Sequence, residues 1–496
     1  MHETLLGSTT DPISQGLVAA LLIALFATLA VEKAHRVLVV MTAVALMWGV
    51  TYLTPYKLLT FEATAQALDV NVLLLLAAMM ALVGVLKETG VFAWAVERIL
   101  ERFGGQPVRA ITLLWWFTAI TSAFLDNVTT VIFVTPIVLA TAQRIGAPIR
   151  PVLLPVIMAA NIGGTATLIG DPPNIMIGSG AGLTFLQFLE ELTIPVLVMM
   201  CGLHWWGARQ LRAAMGARAD APAQADEPGD GPRITDPGLL KWLGGISVLV
   251  LIGFVTHGFT HMPAAVPALL GATAALVVQD VRYLRAARPT HEERQHGILH
   301  VLEKEIEWPT LTFFAFLFIL VGAAVGTGLI ETLAGGLRRA ITEGSAALGL
   351  SERGTLIFAA LLVCWVAGLL SAVMDNIPFV AVSIPIIGSL VAALPGDATV
   401  LWWALSLGAC LGGNGTPIGA SANVTTLGMA ERQGFRISFA DFAAVGARVT
   451  AFTLMVSSVF LAGYVALGPD RVALAGAGVL AVSLLALWRY ERAAQG

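Results

Sequence analysis

Three carboxylates stand where apolar sequence would otherwise run on. Asp126 lies in "SAFLDNVTTVIFVTP" (Ser122 to Pro136), Asp375 in "SAVMDNIPFVAVSIP" (Ser371 to Pro385) and Asp171 in "TATLIGDPPNIMIGSGAG" (Thr165 to Gly182). An acid at membrane depth is costly and defaults to a functional reading. Burial favours the protonated carboxyl, and a bound cation favours the ionised one. One such group can therefore trade a proton for a metal cation, the minimal chemistry of a cation/proton exchanger. Oxygens from Asp, Asn, Thr and freed carbonyls suit a hard cation such as Na⁺. Asp126 and Asp375 are the expected sites of that competition, including any Na⁺ coordination, with Asn127 and Asn376 beside them. A plainer reading makes both acids caps on helix ends, Asp171 a turn residue before Pro172-Pro173, and the asparagines caps.

These groups need an opened backbone to hold them. Glycines at 163, 164 and 170, and again at 412, 413, 415 and 419, permit tight conformations and close approach. Pro172 and Pro173 end any preceding helix. Asn174 and Asn423 then fall near the start of a second half-helix, whose N-terminus favours anions, while freed carbonyls suit cations.

The surrounding chain is a membrane protein. Of its 496 residues, 57% are hydrophobic and 12% charged, against roughly half and a quarter in soluble domains. The net charge of −4 says nothing about nucleic acid, but no basic cluster of the kind that binds it is present, so no nucleic-acid partner is expected. Cys201, Cys364 and Cys410 lie far apart, without metal or disulfide spacing. The N-terminus lacks a basic n-region, so the apolar run from about Leu17 to Val31 reads as a retained span. Plain spans, each of roughly 20 residues, are expected at 15–32, 36–54, 70–87, 192–208, 242–257, 263–279, 309–328, 444–467 and 472–488.

The two halves repeat. The "SA--DN" strings align at one offset, and at the same offset "NIGGTATLIGDPPN" (Asn161 to Asn174) faces "CLGGNGTPIGASAN" (Cys410 to Asn423). Asp171 faces Ala420 and so has no counterpart acid. "VGVLKETGVF" (from Val83) pairs with "VGAAVGTGLI" (from Val321). The expectation is an all-α polytopic membrane protein with about 11 transmembrane crossings in two inverted-topology repeats, each with a re-entrant hairpin and a discontinuous helix. The first repeat is 1–211 (hairpin 108–143, broken helix 151–182), followed by a cytoplasmic linker, 212–240. The second is 241–468 (hairpin 353–394, broken helix 400–428), and 469–496 is a C-terminal helix and tail. Five crossings and a hairpin per half invert the second half, a sequence pointer to a midplane transport site.

Basic residues at Lys33/Arg36, Arg98/Arg102/Arg109, Arg144/Arg150, Arg209/Arg212/Arg218, Arg282/Arg285/Arg288, Arg432/Arg436 and Arg489/Arg492 fall on one side if the N-terminus is outside. Arg338, Arg339 and Arg353 are the exceptions. The C-terminus is then cytoplasmic and the expected location a bacterial inner membrane.

The quoted motifs, with "VGTGLIE" and "GACLGGNGTPIGASANV", resemble the ion transporter superfamily. The similar branch holds arsenite permeases, NhaD-type exchangers, citrate-transporter-like carriers and the melanosomal P protein family. The resemblance covers roughly 70–205 and 309–465. It implies an inverted-repeat secondary transporter, homodimeric, needing no cofactor beyond Na⁺ or H⁺ as coupling ion, with a small ion as substrate and the lipid bilayer as surroundings. Carried over residue by residue, its site is Asp126, Asn127, Thr129, Gly164, Thr165, Thr167, Asp171 and Asn174 with Asp375, Asn376, Gly413, Asn414, Thr416, Ser421 and Asn423. Dicarboxylate carriers of the superfamily have Ser-Asn-Thr at the hairpin tips; "LDN" and "MDN" here put acids in those places and favour cations. Arsenite or another anion is the alternative substrate.

Other features take blander readings. His257 and His261 have metal spacing but no third ligand and read as loop residues; His291, His296 and His300 belong to a charged loop. Val96–Gly104 and Leu333–Gly344 read as amphipathic interfacial helices. Gly322 and Gly326 have helix-packing spacing. Lys87-Glu88 reads as an interfacial pair, and Trp115-Trp116, Trp205-Trp206 and Trp402-Trp403 as aromatic belts. A passive channel does not need duplicated hairpins around one midplane site. An intramembrane aspartic protease lacks its flanking signatures here, so no enzyme activity is expected.

Overall fold

The computed structural model describes residues 11–31, 34–103, 106–216, 234–287 and 300–493. Lys33, Arg218, Arg288, His291, His296 and most of the 212–240 segment lie outside the described residues, as does the side chain of Arg285. Every regular element among the described residues is a helix. In the first repeat these are α1 (Pro12–Val31), α2 (Arg36–Leu53), α3 (Phe61–Ala67), α4 (Val70–Glu88), α5 (Val91–Phe103), α6 (Pro107–Phe124), α7 (Asn127–Arg144), α8 (Ile149–Gly164), α9 (Pro172–Ala181) and α10 (Phe185–Met215). The second contains α11 (Pro237–Thr260), α12 (Ala265–Ala287), a π-helical turn (Val301–Glu305), α13 (Trp308–Gly326), α14 (Leu329–Ala347), α15 (Glu352–Val373), α16 (Asn376–Ala393), α17 (Val400–Gly412), α18 (Ser421–Arg432) and α19 (Phe439–Leu467). A last helix, α20 (Pro469–Ala493), follows the repeats.

Local sequence sets the helix ends. Asp69, Asp126, Asp236, Asp375, Ser351 and Ser438 cap with their side chains. Pro107, Pro172 and Pro237 occupy first helical positions, where the missing N–H costs nothing. Among the described residues, eleven helices are long and apolar enough to cross a membrane. They include both arms of the second hairpin, α15 and α16, whereas the halves of each broken span, α8 with α9 and α17 with α18, are too short singly. Each broken span therefore crosses only as a pair.

The repeats interlock. Within each, the first hairpin arm packs on the first half of the broken helix, α6 on α8 and α15 on α17. Between them the second arms exchange: α7 packs on α18 and α16 on α9. Two glycines permit the first contact. A Cβ on Gly163 would strike the backbone of Ala119, and one on Gly412 the backbone of Gly368, the same pair of positions in both halves. The remaining spans pair elsewhere, α2 with α13 and α4 with α12.

Several expectations are corrected. Trp115, Trp402 and Trp403 are buried rather than interfacial. Trp115 donates from Nε1 to the Val152 carbonyl, and Trp403 packs edge-on against Phe188. Trp205, 46% exposed, keeps a belt-like setting. Lys87 and Glu88 part company: Lys87 pairs with Glu305 at 3.0 Å, while Glu88 accepts from Gln279. His257 is no free loop residue; it lies in the last turn of α11 and its Nε2 accepts from the Phe185 N–H at 3.0 Å.

Candidate functional site

Hairpin tips and helix breaks meet in one buried cluster. Asn161, on α8, is fully buried at its centre. Its Nδ2 donates to Asn414 Oδ1 at 2.9 Å and Asn423 Oδ1 at 3.0 Å, so a residue of the first break is tied to the second. Its Oδ1 accepts from Asn127 Nδ2 at 3.2 Å, and the same amide donates to Asp171 Oδ1 at 3.3 Å. Asn174 and Asn423 brace their own breaks. Asn174 Nδ2 donates to the Thr165 and Thr167 carbonyls at 3.1 and 2.9 Å. Asn423 Nδ2 donates to those of Gly413 and Thr416 at 2.7 and 2.9 Å. Thr167 and Thr416 donate their hydroxyls to the equivalent carbonyls of Ala123 and Ala372 on the hairpins. Gly164 and Gly413 each lie against the carbonyl of a second glycine, Gly170 and Gly419, across the break.

The three acids do different work. Asp126 is a cap: Oδ1 accepts from the N–H groups of Val128 at 2.9 Å and Thr129 at 3.0 Å, and Oδ2 from the Thr129 hydroxyl. Asp375 caps more loosely, accepting at Oδ1 from Ile377 N–H at 3.2 Å and at Oδ2 from Ser421 Oγ at 3.0 Å. It also faces Arg36, whose Nη1 is 3.9 Å away. Asp171 precedes α9 but does not cap it. Asp171 is 1% exposed; Oδ1 is held by Asn127, the Cys410 thiol stands beside the carboxylate, and Oδ2 accepts no hydrogen bond within ordinary geometry among the described residues. Asn414 Nδ2 is likewise buried and, among the described residues, unpaired. Such atoms are costly unless something binds them. Asn376 is buried at the second tip beside Asp375.

By sequence, Arg36 is one of the basic residues that fall on one side of the membrane. Here it enters the site, donating from Nη1 to Ser421 Oγ at 3.0 Å and from Nη2 to Thr310 Oγ1 at 2.8 Å, with its guanidinium over Phe313. Arg36, Asp375, Ser421 and Phe313 line a cavity of about 380 Å³. Glu307, which precedes α13 without capping it and accepts from Thr310 Oγ1 at 2.8 Å, stands near both Asp126 and Arg36. Burial, then the charge of Asp126, pushes its carboxyl above the usual range. Asn161, Arg36 and Glu307 were missed, and so were Ser406 and Cys410, which donate to Asn174 Oδ1. The available signal was polarity within apolar runs: Asn161 opens the quoted repeat, and Cys410 is its counterpart. No group of three or more His, Cys, Asp or Glu among the described residues could hold a metal ion.

A family model described as "Citrate transporter" matches residues 23–408. The chain belongs to the citrate transporter family. Members of that family and their relatives cover nearly its whole length. An uncharacterised transporter of Mycobacterium tuberculosis is 37% identical over 441 residues, spanning 88% of this chain and 96% of that protein. The P protein of Homo sapiens is 30% identical over 535 residues, spanning 92% of this chain and 60% of the longer human protein. In fold, this citrate transporter family member is similar to the YdaH transporter of Alcanivorax borkumensis, with a TM-score of 0.58 at 15% identity over 92% of this chain and 99% of that one. The protein is thus an integral membrane transporter, and its family and relatives are transporters rather than enzymes.

Proposed function

We propose that the protein is a secondary active transporter working by alternating access, exchanging protons for Na⁺ or a similar cation. The observation that carries this is the unpartnered Oδ2 of Asp171, buried where the two breaks meet. A carboxyl so placed is neutralised by a proton or by a cation, and the two compete for it. Asn127 orients it, and Asn161 couples it to the second break. Asp126 is satisfied by its cap, and Asp375 already faces a fixed cation, so Asp171 takes the exchanging role that sequence alone assigned to those two. The hairpins and broken helices form the moving half, and α2, α4, α12 and α13 belong to the scaffold. Assembly as a homodimer through the scaffold, in a bacterial inner membrane with the C-terminus in the cytoplasm, completes the proposal.

A second reading has its own support. Arg36 and Ser421, at the N-terminus of α18, line a cavity large enough for a small carboxylate. A member of a family described by citrate transport could use them to hold an organic anion. The deciding experiment is reconstitution in proteoliposomes with an internal pH dye and an imposed pH gradient, challenged in turn with Na⁺, Li⁺, K⁺, citrate, arsenite and sulfate. Dissipation by Na⁺ or Li⁺, lost in Asp171→Asn, supports cation exchange. Silence to cations with a response to citrate, lost in Arg36→Gln, transfers the substrate to the Arg36 cavity.

A further inference from the structure

A second cavity, of about 240 Å³, opens between α8, α10 and α19, lined on α8 by its first two turns rather than by the end that carries Asn161 and the break. Two arginines flank it. Arg150 is held by Asp441, Nη1 to Oδ1 at 2.6 Å and Nη2 to the main-chain oxygen at 3.1 Å. Arg448 is exposed and, among the described residues, engages no partner. With Asp441 offsetting Arg150, the cavity carries one net positive charge. Its walls are apolar: Leu154, Pro155, Trp206 and Val445.

Its depth in the membrane follows from α10. That helix has 31 residues, which at about 1.5 Å each outrun a hydrocarbon core of about 30 Å. Gln210 and Trp206 of the lining lie in its last turns, beside exposed Trp205 and the guanidinium of Arg209 that stacks on it. Tryptophan with arginine marks the headgroup level. We propose that this cavity binds the phosphodiester of an anionic phospholipid, with Arg448 as the free ligand, Arg150 as its partner and the apolar walls taking the upper acyl chain. One net positive charge matches a lipid whose phosphodiester has no headgroup cation to balance it, such as phosphatidylglycerol and unlike phosphatidylcholine, and an unpaired guanidinium is the group of choice for phosphate oxygens.

Native mass spectrometry of the purified full-length protein, released from detergent with defined lipids, tests this. Phosphatidylglycerol should be retained at least 10-fold better than phosphatidylcholine, and Arg448→Gln should abolish that preference. Arg448 makes no contact to lose, so the variant should melt with wild type. Val445→Trp, which fills the cavity but keeps both arginines, should also release the lipid. Inorganic phosphate at millimolar concentration should not compete. Equal retention of both lipids, retention unchanged in Arg448→Gln, or displacement by inorganic phosphate alone would overturn the assignment, the last by making this a site for the free anion.

Discussion

Asp126, Asp171 and Asp375 share a residue type and a place beside the hairpin tips and helix breaks, and their hydrogen bonds separate them. Asp126 spends its oxygens on the N-terminus of α7, so its contribution is stability. Asp126→Ala should lower stability by about 1 kcal/mol and Asp126→Asn by much less, because asparagine caps nearly as well; thermal unfolding in detergent reads the difference. Asp171 caps nothing and, among the described residues, leaves Oδ2 without a hydrogen bond. Asp171→Asn keeps the side chain's shape and an amide oxygen for Asn127, so it should shift stability by no more than about 1 kcal/mol, yet reduce pH-coupled flux in proteoliposomes at least 10-fold. Asp171 was visible in the sequence as an oddity without a repeat partner. Its freedom from capping was not, since that depends on where Asn127 of another helix lies.

At the level of elements, glycine and cap chemistry make sharper tests than hydrophobicity. A methyl at Gly163 or Gly412 meets backbone that cannot rotate away. Gly163→Ala and Gly412→Ala should each cost about 1–3 kcal/mol by overpacking. Gly244→Ala, in α11 with nothing within 4 Å, should instead be neutral or stabilising by up to about 1 kcal/mol. Melting curves of the three variants compared side by side decide it. Asp236 joins α11 to α12: it accepts from the Leu239 N–H at 2.9 Å and from Arg282 at 2.7 Å, which hold its carboxyl below the usual range. A depressed carboxyl stabilises the fold above its unfolded pKa of about 4, and that stability fades as pH falls through the lower folded value. Asp236→Ala should therefore cost about 1 kcal/mol at neutral pH, with the gap to wild type narrowing in melts taken below about pH 4.

Across the whole molecule, Arg36 spans the proposed boundary between scaffold and moving half. It sits on α2, beside Thr310 of α13, and reaches Ser421 of α18 and Asp375 at the cap of α16. If the halves move against each other, that bridge must open in every cycle. A short bifunctional crosslink between cysteines at Arg36→Cys and Ser421→Cys should abolish transport, and cleaving the linker should restore it. The three native cysteines are buried and should not interfere. Undiminished flux in the fully crosslinked protein would sink the proposed division into halves.

The inverted duplication was legible because both copies keep their glycines, prolines and polar residues at one offset, and backbone that opens inside a membrane demands those residue types. The all-helical class followed from apolar runs of membrane length. Tertiary structure decided the rest. Which of three acids is free depends on donors brought from distant helices. That Arg36 points inward depends on α2 packing along α13. Trp115 and Trp403 look like belt residues because one-dimensional hydropathy cannot tell a lipid-facing indole from one buried between helices. Asn161 became the hub only when the two breaks were set side by side, since a hydrogen bond between repeats leaves no mark in either repeat alone.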